Sequence, residues 1–474
     1  MSLGDLPPEL VRLIAEHLAE KGILTLAQIC WGFYHHIIDL LYKLDTRNNR
    51  GATLFWSCVK GETTTLRYSL NATTGQDDLL EPALLLSCQY GHANFIRTIV
   101  GRGASLECAD PQGDTPLLIA ARGRNYPLVN ILLWEGAEPN HTNFTGHTPL
   151  VVAALEGQVD VVRILLENGA HINRTTHLGY TALALAACAG HEEVVDTLTL
   201  AGAQVDQANY VGDTALIMAA WAGHGRVCEI LIQKGASLSH INRVGDPALT
   251  RAAWAGHTAL VSFLLRSGAC TSHADFFGDT ALFMAAWAGH AEVVSLLLQN
   301  GAKVYQANNQ GDTALIMAAW SGHYQVVRLL IQNGACVSHT DHAGDTALIL
   351  ASWAARDRVI NILLDEGSNV NHANCKGDTA LIMAARAGNE HTVKMLLARG
   401  ALVSHTNLTG NTALIVAAAA GNESVALLLL QHGADSAHIN NEGKTALSEA
   451  IQGRHRDLVK LFGLCILGRV GRHR

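Results

Sequence analysis

Aromatic residues are scarce in this chain, at 5% of 474 residues, and charged residues are few, at 16%. Because the hydrophobic share is an ordinary 49%, these shortages exclude disorder and a core built on aromatics, and favour a helix-rich Ala/Leu/Gly architecture. The ten cysteines contain no CxxC pair, and the nearest two, Cys88 and Cys108, lie twenty residues apart. That spacing fits neither a zinc framework nor a disulfide scaffold. No basic stretch followed by an apolar one opens the chain, and no uninterrupted apolar run reaches about 18 residues. The expectation is a soluble intracellular protein of a reducing compartment, cytoplasmic or nuclear, without membrane insertion. A net charge of -8 gives no general footprint for nucleic acid. The 24 histidines would carry the formal charge towards +16 in acid. Length alone, at about 150 residues per domain, would suggest three domains.

The repeat structure replaces that division. A glycine recurs at Gly113, Gly146, Gly179, Gly212, Gly245, Gly278, Gly311, Gly344, Gly377, Gly410 and Gly443, always 33 residues apart. Each is followed at +2 by Thr (Pro247 once), at +3 by Ala or Pro and at +4 by Leu. Eleven repeats in register without an insertion are a strong sign of a solenoid. In the repeat from Gly278, Thr280 to Trp287 reads as a short helix and Gly289-His290 breaks it. Val293, Val294, Leu296, Leu297 and Leu298 then follow at helical spacing, and Asn300-Gly301 stops the second helix. The polar stretch from Ala302 to Gln310 reads as a hairpin loop.

The Gly-x-Thr-Ala/Pro-Leu start, the Ala-Ala-x-x-Gly-His turn and the Leu-Leu-x-x-Gly-Ala end resemble the ankyrin repeat over residues 80–474. The resemblance implies an all-α repeat solenoid whose hairpin tips and first helices present a binding surface. Twelve repeats are expected, because Leu84, Gly91-His92 and Gly103-Ala104 hold the register upstream. Residues 47–79 read as a degenerate capping repeat with Thr and Tyr facing water. At the other end a lengthened last helix caps the array, with Arg469, Arg472 and Arg474 near its C-terminus. Where the family carries Thr-Pro-Leu-His, this chain mostly has Thr-Ala-Leu-Ile, as at Thr313 to Ile316. Apolar packing is expected to replace the usual Thr–His hydrogen bond.

Residues 1–46 lie outside the repeat. Pro7 sits in the first turn of an expected helix, with Leu10, Ile14 and Leu18 along one stripe. The series Leu6, Pro7, Glu9, Leu10, Ile14, Leu18, Ile29 and Phe33 resembles the F-box, and its place before ankyrin repeats resembles fungal F-box/ankyrin proteins. An F-box implies docking on the Skp-type adaptor of a cullin ubiquitin ligase. The alternative is a helical segment that only caps the first repeat. Phe33 stands where Trp is commoner in the family, and Ala19 to Ile23 departs from its usual turn.

Reading the repeats by column isolates further candidates. Trp221, Trp254, Trp287, Trp320 and Trp353 occupy one position near the end of the first helix in five successive repeats. Family resemblance places that position on the concave groove. At about 10 Å per repeat the ladder would extend roughly 40 Å, suited to an extended protein segment. Either the indoles await a partner, or each packs flat against the next repeat. Asp213, Asp246, Asp279, Asp312, Asp345 and Asp378 follow the turn glycine, with Asp114 an earlier member. Beside indoles they suit a partner bearing Lys or Arg; alone they are common turn residues on a solvated loop. Tips vary between repeats, and Phe276 and Phe277 are candidate contacts.

His141, His240, His273, His339, His372, His405 and His438 recur in the hairpins. Repeat spacing keeps them too far apart to share a metal, so hydrogen bonds between hairpins are expected. Catalytic patterns are missing. Gly443-Lys444-Thr445 lacks the first glycine of a phosphate loop, His191-Glu192 has Val195 where a second His would stand, and no GxSxG occurs. The sequence thus points to a non-enzymatic interaction protein needing no cofactor or metal. It reads as a target receptor for a cullin-type ligase or, alternatively, a plain scaffold.

Overall fold

A computed structural model describes residues 51–72 and 77–470. These residues form α-helices, one short 3-10 turn at Asp77–Leu79 and single-residue bridges in the hairpins. The F-box-like positions Leu6, Pro7, Glu9, Leu10, Ile14, Leu18, Ile29 and Phe33 lie outside the described residues, as do Arg472 and Arg474. By internal contacts the chain divides into two units, residues 1–219 with 226–236 and residues 220–225 with 237–474. The described residues of each are built from the same repeat.

The repeat from Gly278 shows how sequence makes the element. Thr280 is extended, and its hydroxyl accepts the Phe283 amide at 3.2 Å, which caps the helix Ala281–Ala288. Such a cap satisfies one of the amides a helix start leaves unpaired. Gly289 ends this helix at φ +86°, a left-handed conformation that costs a side-chain-bearing residue energy. A Cβ there would also stand 2.5 Å from the His323 ring of the next repeat. Glycine is therefore favoured on two counts, although Arg124, Ala355 and Arg454 take the same left-handed position in other repeats. The second helix, Ala291–Gln299, runs to Asn300, whose side-chain amide donates to the Leu296 carbonyl at 2.8 Å.

Within each unit, helices bury one face against the equivalent helices of neighbouring repeats. Within the second unit, Ala248–Ala255 packs on Ala281–Ala288, which packs on Ala314–Ser321, and so on to Ala446–Gln452. The second helices stack in parallel fashion, from Thr258–Arg266 to the last helix. Leu282, Ala285 and Ala286 are buried from the first helix, and Val293, Val294 and Leu297 from the second. Each fully buried Leu or Val contributes about 1.5–3 kcal/mol, so stability accumulates along the stack. Ile316, where the family motif has His, is buried, and Thr313 caps its own helix by accepting the Ile316 amide at 3.4 Å.

Among the described residues the first unit begins with the helix pair Ala52–Lys60 and Thr63–Ala72, which stacks on the helices beginning at Leu80 and Ala93. Leu54, Leu66 and Leu70 are buried, while Thr63 and Thr64 are exposed and Tyr68 is half-buried. The last helix, Arg456–Val470, has 15 residues against nine in Ala291–Gln299. Among the described residues no helix is long and apolar enough to cross a membrane.

Candidate protein-binding face

Hairpins and helix ends are tied from one repeat to the next, and these ties position the candidate residues. Phe276 N donates to the Val244 carbonyl at 3.0 Å, Asn309 N to Phe277 at 2.8 Å and His342 N to Gln310 at 2.9 Å. The backbone of each tip is thus held, and the Asn309 side-chain amide adds a bond to the Phe276 carbonyl at 2.9 Å. Phe276 and Phe277 are both exposed. The histidine column adds a second tie. His273, His339, His372, His405 and His438 each direct Nε2 at the carbonyl of the preceding turn glycine, at 2.8 to 3.0 Å. A carbonyl only accepts, so Nε2 carries the proton there. His141 differs, facing Glu107 at 3.4 Å through Nδ1.

The tryptophans end the first helices, where carbonyls lack intrahelical partners. The next repeat supplies them. His257 Nε2 lies 3.0 Å from the Trp221 carbonyl, His290 3.0 Å from that of Trp254 and His323 3.1 Å from that of Trp287. Arg356 Nε donates to Trp320 at 3.0 Å and Asn389 Nδ2 to Trp353 at 3.1 Å. The histidines of the Gly-His turns therefore anchor the tryptophan backbone across repeats. The indoles themselves remain accessible: Trp221, Trp254, Trp287 and Trp353 are 38% to 52% exposed, and Trp320 is half-buried. They are not buried flat in the stack.

The carboxylates divide into two kinds. Asp114, Asp246 and Asp378 are buried, and each has a guanidinium of its own repeat: Arg122 at 2.6 Å, Arg251 at 3.2 Å and Arg386 at 3.0 Å. Asp279, Asp312 and Asp345 are half-buried, and none has a cation within ion-pair distance among the described residues. Asp213 is half-buried as well. This column is not the solvated loop face that Asp beside Gly suggests on its own.

A column missed in the sequence connects these carboxylates. Asn308 Nδ2 donates to Asp279 at 2.9 Å, Asn374 to Asp345 at 2.8 Å and Asn407 to Asp378 at 2.8 Å. The same asparagines shape their own turns by accepting amides two and four residues on, as Asn308 does from Gln310 and Asp312, each at 2.9 Å. The signal lay in the recurrence of Asn or Asp three residues before every turn glycine but Gly179, where Thr176 stands. At position 341 the residue is Asp, so no side-chain amide reaches back to Asp312. Burial first, then the charges of Asp341, Asp279 and Asp345, push the Asp312 carboxyl above its usual range, with His339 pulling the other way. Burial likewise raises Asp279, offset by Asn308 and reinforced by Asp275. Asp345 is raised by burial, lowered by Asn374, raised by Asp341 and Asp378, and lowered by Lys376.

Register shows what lies between the carboxylates. Arg122 and Arg386 occupy the tryptophan position of their repeats and reach the Asp eight residues earlier. Cys188, at the same position, feels the charge of Asp213 from the following repeat. A side chain at this position therefore sits between the Asp of its own repeat and that of the next. By this register the Trp254 and Trp287 positions flank that of Asp279, those of Trp287 and Trp320 flank Asp312, and those of Trp320 and Trp353 flank Asp345.

Stacked helix pairs with tied hairpins define a helical repeat array that presents side chains on a fixed scaffold. The model for "Ankyrin repeats (3 copies)" matches residues 7–143, 117–209, 176–242, 199–275, 249–341, 336–407 and 400–465, and the chain belongs to the ankyrin repeat family. It is a protein–protein interaction array of a family that is typically non-catalytic. The first match begins at residue 7 and overlaps the F-box-like segment, for which the comparison offers no support. No curated protein matches the chain.

Proposed function

We propose that the chain captures a protein partner on the face formed by Trp221, Trp254, Trp287, Trp320 and Trp353, with Asp279, Asp312, Asp345 and the tips Phe276 and Phe277 at its margin. One observation carries the reading: five consecutive repeats hold an accessible indole at a position where other repeats have Arg122, Leu155, Cys188, Arg386 or Ala419. Covering about 100 Å² of apolar surface on one indole is worth around 2.5 kcal/mol, and tryptophan is enriched among residues that dominate binding energy. The test replaces Trp254, Trp287 and Trp320 by Ala in pairs and compares the proteins that cross-link to and co-purify with each variant. A partner set unchanged in identity and yield sinks the reading.

The finer reading makes this face the target site of a receptor for a cullin-type ubiquitin ligase, with residues 1–46 docking on a Skp-type adaptor. Its support is the F-box-like series from Leu6 to Phe33. The start of the ankyrin match at residue 7 favours the alternative, a scaffold whose first helices only cap the array. Binding to a purified Skp-type adaptor decides between them. The receptor reading expects a complex with the wild type that Leu6→Ala/Pro7→Ala weakens, and absence of a wild-type complex leaves the scaffold.

A further inference from the structure

Three carboxylates of the second unit stand apart from the rest of their column. Asp246 and Asp378 are neutralised by Arg251 and Arg386, whereas Asp279, Asp312 and Asp345, between them in the chain, have no such cation among the described residues. The residue that could supply it has been exchanged. At the position from which Arg386 reaches Asp378, these repeats carry Trp287, Trp320 and Trp353, whose indoles stay accessible. The chain thus displays the filled form of the subsite, a guanidinium on the carboxylate, in the repeat that follows three successive open forms. An aromatic face beside an anion attracts a cation both by charge and through the ring quadrupole.

The spacing selects the backbone of the ligand. Packed helices lie about 8–10 Å apart, so successive subsites are separated by that distance. A polyproline-II segment has three residues per turn and rises about 3.1 Å per residue, which returns every third side chain to one face after about 9 Å. A β-strand places residues i and i+3 on opposite faces. An α-helix repeats a face every seven residues, after about 10.5 Å and with a drift of about 20° per heptad. We propose that the face spanning Trp254 to Trp353 binds a polyproline-II segment bearing Arg or Lys at every third residue, each cation between two indoles on Asp279, Asp312 or Asp345. The proposal rests on the reading of this face as a protein-binding site and narrows it to one ligand chemistry. Burial, only partly offset by neighbouring groups, raises all three carboxyls, which accords with it.

The full-length protein is titrated with four synthetic peptides by calorimetry and tryptophan fluorescence. They are (Arg-Pro-Pro)3, a peptide of the same composition with Arg at alternate positions, a citrulline version of the first, and a helical peptide with Arg at every seventh position. The first is expected to bind about tenfold more tightly than the respaced one and to weaken with salt. The triple variant Asp279→Asn/Asp312→Asn/Asp345→Asn is expected to bind it about a hundredfold more weakly. That variant should fold, because Asn411 already occupies the equivalent position and accepts from Asn440 at 2.7 Å. Its thermal midpoint, not lowered, makes loss of binding a loss of charge. Equal affinity for both spacings, preference for the helical peptide, or undiminished binding by the triple variant overturns the proposal. So does failure of every peptide to bind. If the citrulline peptide binds as well as the arginine peptide and Trp287→Ala/Trp320→Ala removes both, the cationic ligand is wrong and the tryptophan face stands.

Discussion

In the repeat that starts at Gly377, Arg386 lies 3.0 Å from Asp378, while in the repeat that starts at Gly311 Trp320 takes the same position and Asp312 has no cation within ion-pair distance among the described residues. The two repeats share cap, turn and core: Thr379 and Thr313 cap equivalent helices, and Ile382 and Ile316 are equally buried. Between these two repeats one side chain makes the difference, whereas in the repeat from Gly245, which has Trp254 at that position, Arg251 reaches Asp246 from elsewhere on the helix. The first unit has the same filled form at Asp114 and Arg122. Retaining an incompletely compensated half-buried charge in three successive repeats costs stability, which is the usual mark of a functional surface.

The reciprocal exchange is the most direct way to break this comparison. Arg386→Trp leaves a buried carboxylate with only Asn407 as a side-chain partner, and should lower stability by about 2 kcal/mol in urea unfolding, less than for a fully buried pair because Arg386 is partly exposed. No loss would show that the pair is not what satisfies Asp378. His323→Ala tests the anchor below the indoles. It removes the donor to the Trp287 carbonyl and the ring packed over Gly289, at a cost of about 1.5 kcal/mol. His323→Asn should recover most of that, since Asn389 does the same work for Trp353 at 3.1 Å.

Asp312→Asn sharpens the contrast with the opposite sign. Because the folded carboxyl lies above the ordinary 3.8, its ionised form opposes folding at neutral pH, and that cost fades as pH falls through the folded value. Asn should therefore stabilise the protein by about 1 kcal/mol at pH 7, with the advantage shrinking towards pH 4. An advantage that is absent at pH 7 or grows in acid would contradict the assignment. The smallest effect is expected from Trp320→Arg, which converts an open subsite into a filled one. It should add about 0.5 kcal/mol to stability and lower affinity for a cationic peptide, measured by the same titration.

Much of the architecture was legible because its signals are local. The left-handed conformation at Gly289, the Thr280 cap and the apolar spacing of Val293, Val294 and Leu297 each operate within a few residues, and the 33-residue period repeats them. The columns of Trp, Asp and His could be read for the same reason. Their roles could not. The Gly-His turns read as generic, yet His257, His290 and His323 hold the carbonyls of tryptophans 36 residues earlier. Asn308 and Asn374 were passed over although their column was visible, since a turn residue gives no hint that its free amide reaches the previous repeat.

The sequence by itself determined the ankyrin repeat, its register and the five-tryptophan column, because a fixed period of local signals leaves one way to bury each apolar face against its neighbours. Whether those indoles are core or surface, and which carboxylates are already neutralised, was decided only in the tertiary structure. Both depend on distances across the stack: a side chain at the tryptophan position meets an Asp eight residues before it and another 25 residues after it. No spacing along the chain expresses that geometry until consecutive helices are packed side by side.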